Sequence, residues 1–285
     1  MTGSEALHCQ GAPRDLGRSQ GQPHADAIRR ALAREGFSTR RSRWPNWRPL
    51  ASGPVLGRGP GREIIRHYPH HGERLAGMAL AAGVPLASLV AKNAREMSRD
   101  SALGAKARCV AVPGESVRLV REMHGGLAAD ESYLVRRSIP EVGFASVELT
   151  KPWFVSAFAG INEHGLAVVL QAPLEAGAQT DLTATLLVQD CLQRFTTVAA
   201  CVDWCSKRPS QGASRLGVAD PSGDRAQIAP GGAEASPWPP DETGHATSGQ
   251  RGSGLEVRLE PDSRRLSFVS FPDGVETASF VAGSG

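Results

Sequence analysis

The sequence has no apolar run near the roughly 18 residues that a membrane span needs, which argues against any role built on a transmembrane helix. Its start, MTGSEALHCQGAPRD, lacks the basic segment followed by an apolar one that marks a secretory signal, so a cytoplasmic protein is expected. Cysteine is sparse. The five residues Cys9, Cys109, Cys191, Cys201 and Cys205 are odd in number and widely spread over 285 positions, unlike a disulfide framework. The pair in CVDWC is spaced wrongly for a CxxC redox motif, and no His or Cys cluster stands near it at zinc-finger spacing. Cys191, Cys201 and Cys205 therefore read as core residues of a helical region. A nucleotide loop is missing too, because GRGPG (residues 57–61) departs from the GxxxxGK[ST] order. No cofactor and no metal are expected. His70 and His71 in HYPHHG have no evident third ligand and read as helix-end residues. There is no internal repeat.

Charge is nearly balanced, at +3, with the basic excess gathered in REGFSTRRSRWPNWRP, residues 34–49. Arginine interleaved with Trp44 and Trp47 can stack on and neutralise single-stranded nucleic acid. One short stretch is not a basic face, however, so a solvated connector is the better reading and no nucleic-acid partner is expected. With 40% hydrophobic and 21% charged residues, the chain has the composition of one large α/β or α+β domain.

The segment 14–35 carries Leu16, Ala25, Ile28 and Leu32 at near-helical spacing, interrupted by Gly21 and Pro23, and predicts a two-part helix. A Pro/Gly-rich stretch, 45–61, separates it from 62–96, which predicts a helical hairpin broken at AGVP. There Gly83 ends one helix and Pro85 begins the next. From Cys109 the pattern turns to strands: RCVAVPG, SVRLVREM, YLVRRSI, FASVELT, FVSAFAGI and LAVVLQA. GINEHG is a turn between the last two, with Asn162 and Gly165 supplying tolerance for positive φ. Helix returns over 181–207, a hairpin follows over 215–230, 229–254 is a long loop, and LEVRLEP and RLSFVSF pair across Asp262 and Ser263. Strand blocks joined by hairpins and flanked by helices predict antiparallel sheets covered by helices.

Five segments, in order, carry a resemblance: LHCQGAPRDLGRSQG, LAGMALAAGVPLASLVAKNARE, RCVAVPG, GINEHGLAVVLQ and LGVADPSGD. Together they resemble the acyl-coenzyme A:6-aminopenicillanic acid acyltransferase family, over about residues 7 to 280. Those proteins are cysteine N-terminal-nucleophile hydrolases, more distantly related to penicillin V acylase and bile salt hydrolase. The resemblance implies an α+β, four-layered αββα fold and a precursor that cuts itself before a cysteine, whose freed α-amine serves as base for its own thiol. An α-amine with a pKa near 8 is a proton acceptor at working pH, and a thiol is readily activated.

Mapped here, the resemblance makes Cys109 the nucleophile and Arg108–Cys109 the self-cleaved bond. Residues 1–108 become a helical pro-segment or small subunit beside a strand-rich 109–285, the two forming one domain. Gln171 supplies the amide of an oxyanion hole, Asp130 is the carboxylate nearest the family's catalytic cluster, and His245 (in TGH) and Arg251 fall at substrate-binding places. The substrate implied is a small amide or acyl thioester. Some positions depart from the pattern: Arg108 stands where the family usually has Gly, TGH replaces TNH, and about fifty residues of the usual C-terminal part are missing after Arg251. Three readings follow: a thioester-forming amidohydrolase or acyltransferase, a catalytically decayed member acting as a binding protein, and an uncleaved thiol enzyme with His245 as base. For Cys109 itself the ordinary alternative is a small buried hydrophobe.

Overall fold

The buried strand β7 (Ala167–Gln171) shows how the chain is layered, because its apolar residues alternate between two cores. Val168 and Leu170 pack with helix residues such as Leu75, Leu186, Leu187 and Cys191. Ala167 and Val169 pack with Leu259, Leu266 and Phe268 of a second sheet. A strand covered on both faces has no use for polar alternation, which is why this stretch reads as a continuous apolar run.

The computed structural model describes residues 6–40, 66–102, 107–111, 117–123, 133–171, 182–208, 214–229, 236–237, 254–271 and 276–282. Strand β1 (Leu7–Gly11) precedes helices α1 (Pro13–Gly21), α2 (Ala25–Arg34), α3 (Pro69–Ala82) and α4 (Leu86–Ala102). Strands β2 (Ala107–Ala111), β3 (Val117–Met123), β4 (Leu134–Pro140), β5 (Ser146–Thr150) and β6 (Ala159–Asn162) lead to β7. Helices α5 (Leu182–Arg194) and α6 (Val198–Ser206) follow, then β8 (Arg215–Ala219), β9 (Arg225–Ile228), β10 (Ser236–Pro237), β11 (Gly254–Glu260), β12 (Arg265–Phe271) and β13 (Glu276–Val281). One sheet has the order β1-β4-β5-β6-β7-β8-β9-β10 and the other β13-β12-β11-β3-β2.

The protein is thus a mixed helix and sheet fold with two mostly antiparallel sheets. The described helices pack on the eight-stranded sheet or on one another, giving a helix, sheet, sheet order of layers among the described residues. Among the described residues one pair is parallel, β1 with β4, and it departs from the expected hairpin pattern. A strand delivered across four helices carries no hairpin constraint on its direction. Among the described residues no single helix is long and apolar enough to cross a membrane; α3 and the first part of α4 pass that test only as a pair bent by 119°.

The local signals acted largely as expected. The two-part helix is α1 and α2, and the hairpin is α3 and α4, with Gly83 at φ +69° ending α3. Helices α1 and α3 cross closely because Gly17 and Gly77 face each other's backbone. A Cβ on Gly17 would stand 1.9 Å from the Arg74 carbonyl oxygen, and one on Gly77 would stand 1.9 Å from that of Arg14. FVSAFAGI is strand only from Ala159 onward.

The GINEHG turn needs one correction. Gly165 takes a positive φ of +87°, but Asn162 does not; it works through its side chain. Its Oδ1 accepts from the His164 and Leu166 amides, both at 3.0 Å, while Nδ2 donates to the Leu192 and Phe195 carbonyls at 3.0 and 2.8 Å. One asparagine thereby closes the turn and ties it to the end of α5.

A buried ionic cluster fixes α4 to the loop after β5. Glu96 accepts from Lys92 at 2.8 Å, from Trp153 Nε1 at 3.1 Å and from Lys151. Burial alone would raise its carboxyl pKa, but Lys151 and Lys92 overcome that and hold it at about 2. A depressed pKa contributes stability above the unfolded value near 4.5 and loses it as pH falls toward 2. The Glu96→Gln protein is therefore expected to show about 3 kcal/mol less acid dependence between pH 5 and pH 2 than the wild type, a difference that urea unfolding at both pH values would measure.

Candidate active site

Four of the five cysteines are buried and unpaired by disulfide: Cys9, Cys191, Cys201 and Cys205. Burial pushes the Cys9 thiol pKa up. Hydrogen bonding to Cys201, along with burial, raises that of Cys191 well above its ordinary value, and a hydrogen bond with Cys191, 3.5 Å from Sγ to Sγ, together with burial raises that of Cys205. A thiol held protonated is a poor nucleophile. The core assignment of the three helical cysteines stands, since Cys191, Cys201 and Cys205 are all fully buried in the core on the helix side of the sheet.

Cys109 lies in the middle of β2, opposite Leu119 of β3, and Arg108 lies opposite Val120. Among the described residues β2 ends the five-stranded sheet. It packs over β7 and β8 of the other sheet. Two buried polar side chains mark the same crossing. Arg121 of β3, opposite Ala107, donates to the Leu170 carbonyl and lies 5.7 Å from the Phe158 ring. Gln171, the next residue of β7, is buried, and its Oε1 accepts from Gln227 Nε2 at 2.8 Å. That bond occupies the oxygen and leaves the amide NH2 as the donor available for other work.

Asp130, His245 and Arg251 lie outside the described residues, as do Thr243 and Gly244. The structure therefore packs β2, the strand of Cys109, against β7, the strand that ends in Gln171, and adds Arg121 of β3 at Leu170, a residue without a counterpart among the sequence-derived candidates. The signal for Arg121 was its spacing in SVRLVREM: of the charged residues Arg118, Arg121 and Glu122, it is the one two positions from Leu119, on the face that the structure buries.

A second polar constellation, also missed, sits where α1, α3 and α5 meet the end of β4. A cleft of about 280 Å³ opens there, lined by Leu16, His70, His71, Arg74, Gln189 and Arg194 among others. None of the sequence-derived site residues is part of its lining among the described residues. His70 and His71 do begin a helix, as expected, but the expectation that they lack a third partner is wrong. Asp190 of α5 reaches both, with its Oδ1 2.6 Å from His70 Nε2 and 3.7 Å from His71 Nε2. Asp190 stands 120 residues beyond His70 in the chain, so no spacing rule could join it to the histidine pair.

Below the cleft lies a buried ion pair. Arg136 and Glu148 face each other across β4 and β5, with Nε to Oε2 at 2.7 Å. Gln20 of α1 and Gln189 of α5 accept from the same guanidinium at 2.6 and 2.8 Å. Ser146, Ser138 and Gln189 donate to the carboxylate. All of these side chains are fully buried. Arg136 and Arg74, with Ser146 and Gln189 hydrogen-bonded to it, overcome the effect of burial and keep the Glu148 carboxyl below its ordinary range.

Compared with protein-family models and with curated proteins, the chain finds no match in either.

Proposed function

We propose that the protein is a cysteine-dependent amide hydrolase or N-acyltransferase of the N-terminal-nucleophile type, acting on a small N-acylated compound through a thioester on Cys109. The observation that carries this reading is the crossing of β2 over the end of β7. It supports the reading because β2, the strand that carries Cys109, packs against β7, which ends in the buried amide of Gln171, while Arg121 of the neighbouring strand β3 donates to the Leu170 carbonyl. The αββα sandwich and a bond cut between Arg108 and Cys109 belong to the same proposal.

Maturation would proceed by attack of the Cys109 sulfur on the Arg108 carbonyl carbon. The carbon–nitrogen bond between the two residues breaks as the nitrogen keeps its own hydrogen and takes the thiol proton to become the new α-amine, and water then hydrolyses the Arg108–Cys109 thioester to the Arg108 carboxylate and the free Cys109 thiol. In turnover the α-amine takes the thiol proton, the thiolate attacks the substrate acyl carbon, and the Gln171 NH2 donates to the developing oxyanion. The α-ammonium returns its proton to the leaving amine. Water then cleaves the thioester in hydrolysis, or a second amine does so in transfer, and the thiolate is released.

The test is turnover of a panel of small N-acyl amides and acyl thioesters. Replacing Gln171 with Leu is expected to lower kcat by roughly 10²–10³ while leaving the fold intact, the cost of losing one oxyanion donor. A thiol-directed inhibitor that modified Cys109 and left turnover intact would exclude Cys109 as the nucleophile.

A further inference from the structure

We propose that His70, His71 and Asp190 form a binding site for a divalent transition ion of the zinc class, with its remaining coordination position facing the cleft between α1, α3 and α5. The site is independent of Cys109 and of the reading built on it.

The three candidate ligand atoms lie within 4.8 Å of one another. Around a tetrahedral zinc with bonds of about 2.0–2.1 Å, neighbouring ligand atoms stand about 3.3 Å apart. The His71 Nε2 to Asp190 Oδ1 separation, 3.7 Å, is already near that figure, and the His70 contact at 2.6 Å must open slightly, a small side-chain rotation at a partly exposed ring.

The decisive group is His71. Its side chain is 1% exposed, and its Nε2 is buried without a hydrogen-bond partner. A lone buried ring nitrogen is costly unless something binds it. The Leu186 carbonyl accepts a hydrogen bond from the same ring. With Nε2 unpartnered, that bond falls to Nδ1–H, which fixes the tautomer that presents the Nε2 lone pair toward Asp190. A histidine anchored at one nitrogen by a carbonyl and open at the other has the arrangement of a metal ligand.

Asp190 is 2% exposed and brings the negative charge that a zinc-class ion needs, and two imidazoles with one carboxylate match that ion's preference. His70, 23% exposed at the cleft wall, leaves a path for entry. The positive neighbours do not defeat the site. Arg74, one turn along α3, hydrogen-bonds Ser138 and is balanced by Glu148, and Arg194 stands 3.8 Å from the far oxygen of Asp190. Sequence reading discarded the histidine pair for want of a third ligand, and the fold supplies it.

The test is cobalt(II) and zinc titration of the full-length protein after dialysis against a chelator. The wild type is expected to take up one cobalt per chain with visible bands of tetrahedral intensity and no thiolate charge-transfer band, and zinc should displace it. Asp190→Asn and His71→Gln are expected to weaken binding by more than roughly 100-fold, since even outer-shell changes cost 10–100-fold. His70→Ala, at the partly exposed position, should do the same while retaining the wild-type circular dichroism, so it decides the matter if the buried variants fail to fold. No saturable uptake by the wild type, uptake with a thiolate signature, or undiminished uptake by a folded His70→Ala protein would each overturn the proposal.

Discussion

Replacing Arg136 with Met is expected to destabilise the protein by about 3–5 kcal/mol, the range for breaking a buried ion pair from one side. The variant takes from Glu148 the guanidinium bonded to it, leaving Arg74 as the cation that still acts on it between α1, α5 and the eight-stranded sheet, and strips Gln20 and Gln189 of the donor that their side-chain oxygens accept from. Burial then dominates the Glu148 titration and raises its pKa, so protonation relieves part of the penalty. The deficit should therefore shrink as pH falls from 8 to 5. Adding Glu148→Leu removes the stranded charge and should recover most of the loss. Urea unfolding of the two variants at both pH values checks all three statements. A loss below about 1 kcal/mol for Arg136→Met would show that the pair is not the tie that its burial implies.

The second large effect concerns chemistry. Cys109→Ala is expected to leave stability close to wild type but to remove turnover of any amide substrate by roughly 10⁶-fold, the scale seen when a covalent hydrolase loses its nucleophile. Cys191→Ala and Cys201→Ala serve as controls with the opposite pattern. These residues are fully buried among the helices, so the substitutions should cost stability and leave the chemistry alone. Steady-state kinetics with thermal unfolding separates the two. Equal activity in the Cys109→Ala protein would exclude the thioester route.

Much of the fold was legible because local chemistry and tertiary packing agree. Gly83 and Pro85 mark the turn between α3 and α4, and the apolar runs LAVVLQA and LEVRLEP become strands because each is packed in a core. What stayed hidden was set by long-range pairing. The alternation in LHCQG runs for only four residues before Gly11, too short a signal to mark a strand by itself, and β1 is completed by its pairing with β4. Strand β13 is hidden for the same reason, since ETASFV takes its strand form in pairing with β12. The turn sequence suggests a backbone role for Asn162, whereas the residue acts through four side-chain hydrogen bonds, which spacing cannot reveal.

The site shows the same division. Cys109 and Gln171 rest on the resemblance, and the structure adds their positions, one within β2 and one at the end of β7. Arg121 and the triad of His70, His71 and Asp190 could not, because each depends on which elements the fold lays side by side. A buried cation in a strand reads as a surface residue until the partner sheet is known, and a histidine pair reads as a helix start until α5 brings its carboxylate.

The most direct measurement is the intact mass of freshly purified wild-type protein beside the Cys109→Ala variant. Two fragments divided between Arg108 and Cys109 in the wild type, with a single uncut chain in the variant, are the predicted result. A wild-type chain that remains whole would contradict an N-terminal nucleophile at Cys109, leaving an uncleaved thiol enzyme or a fold that has lost its chemistry.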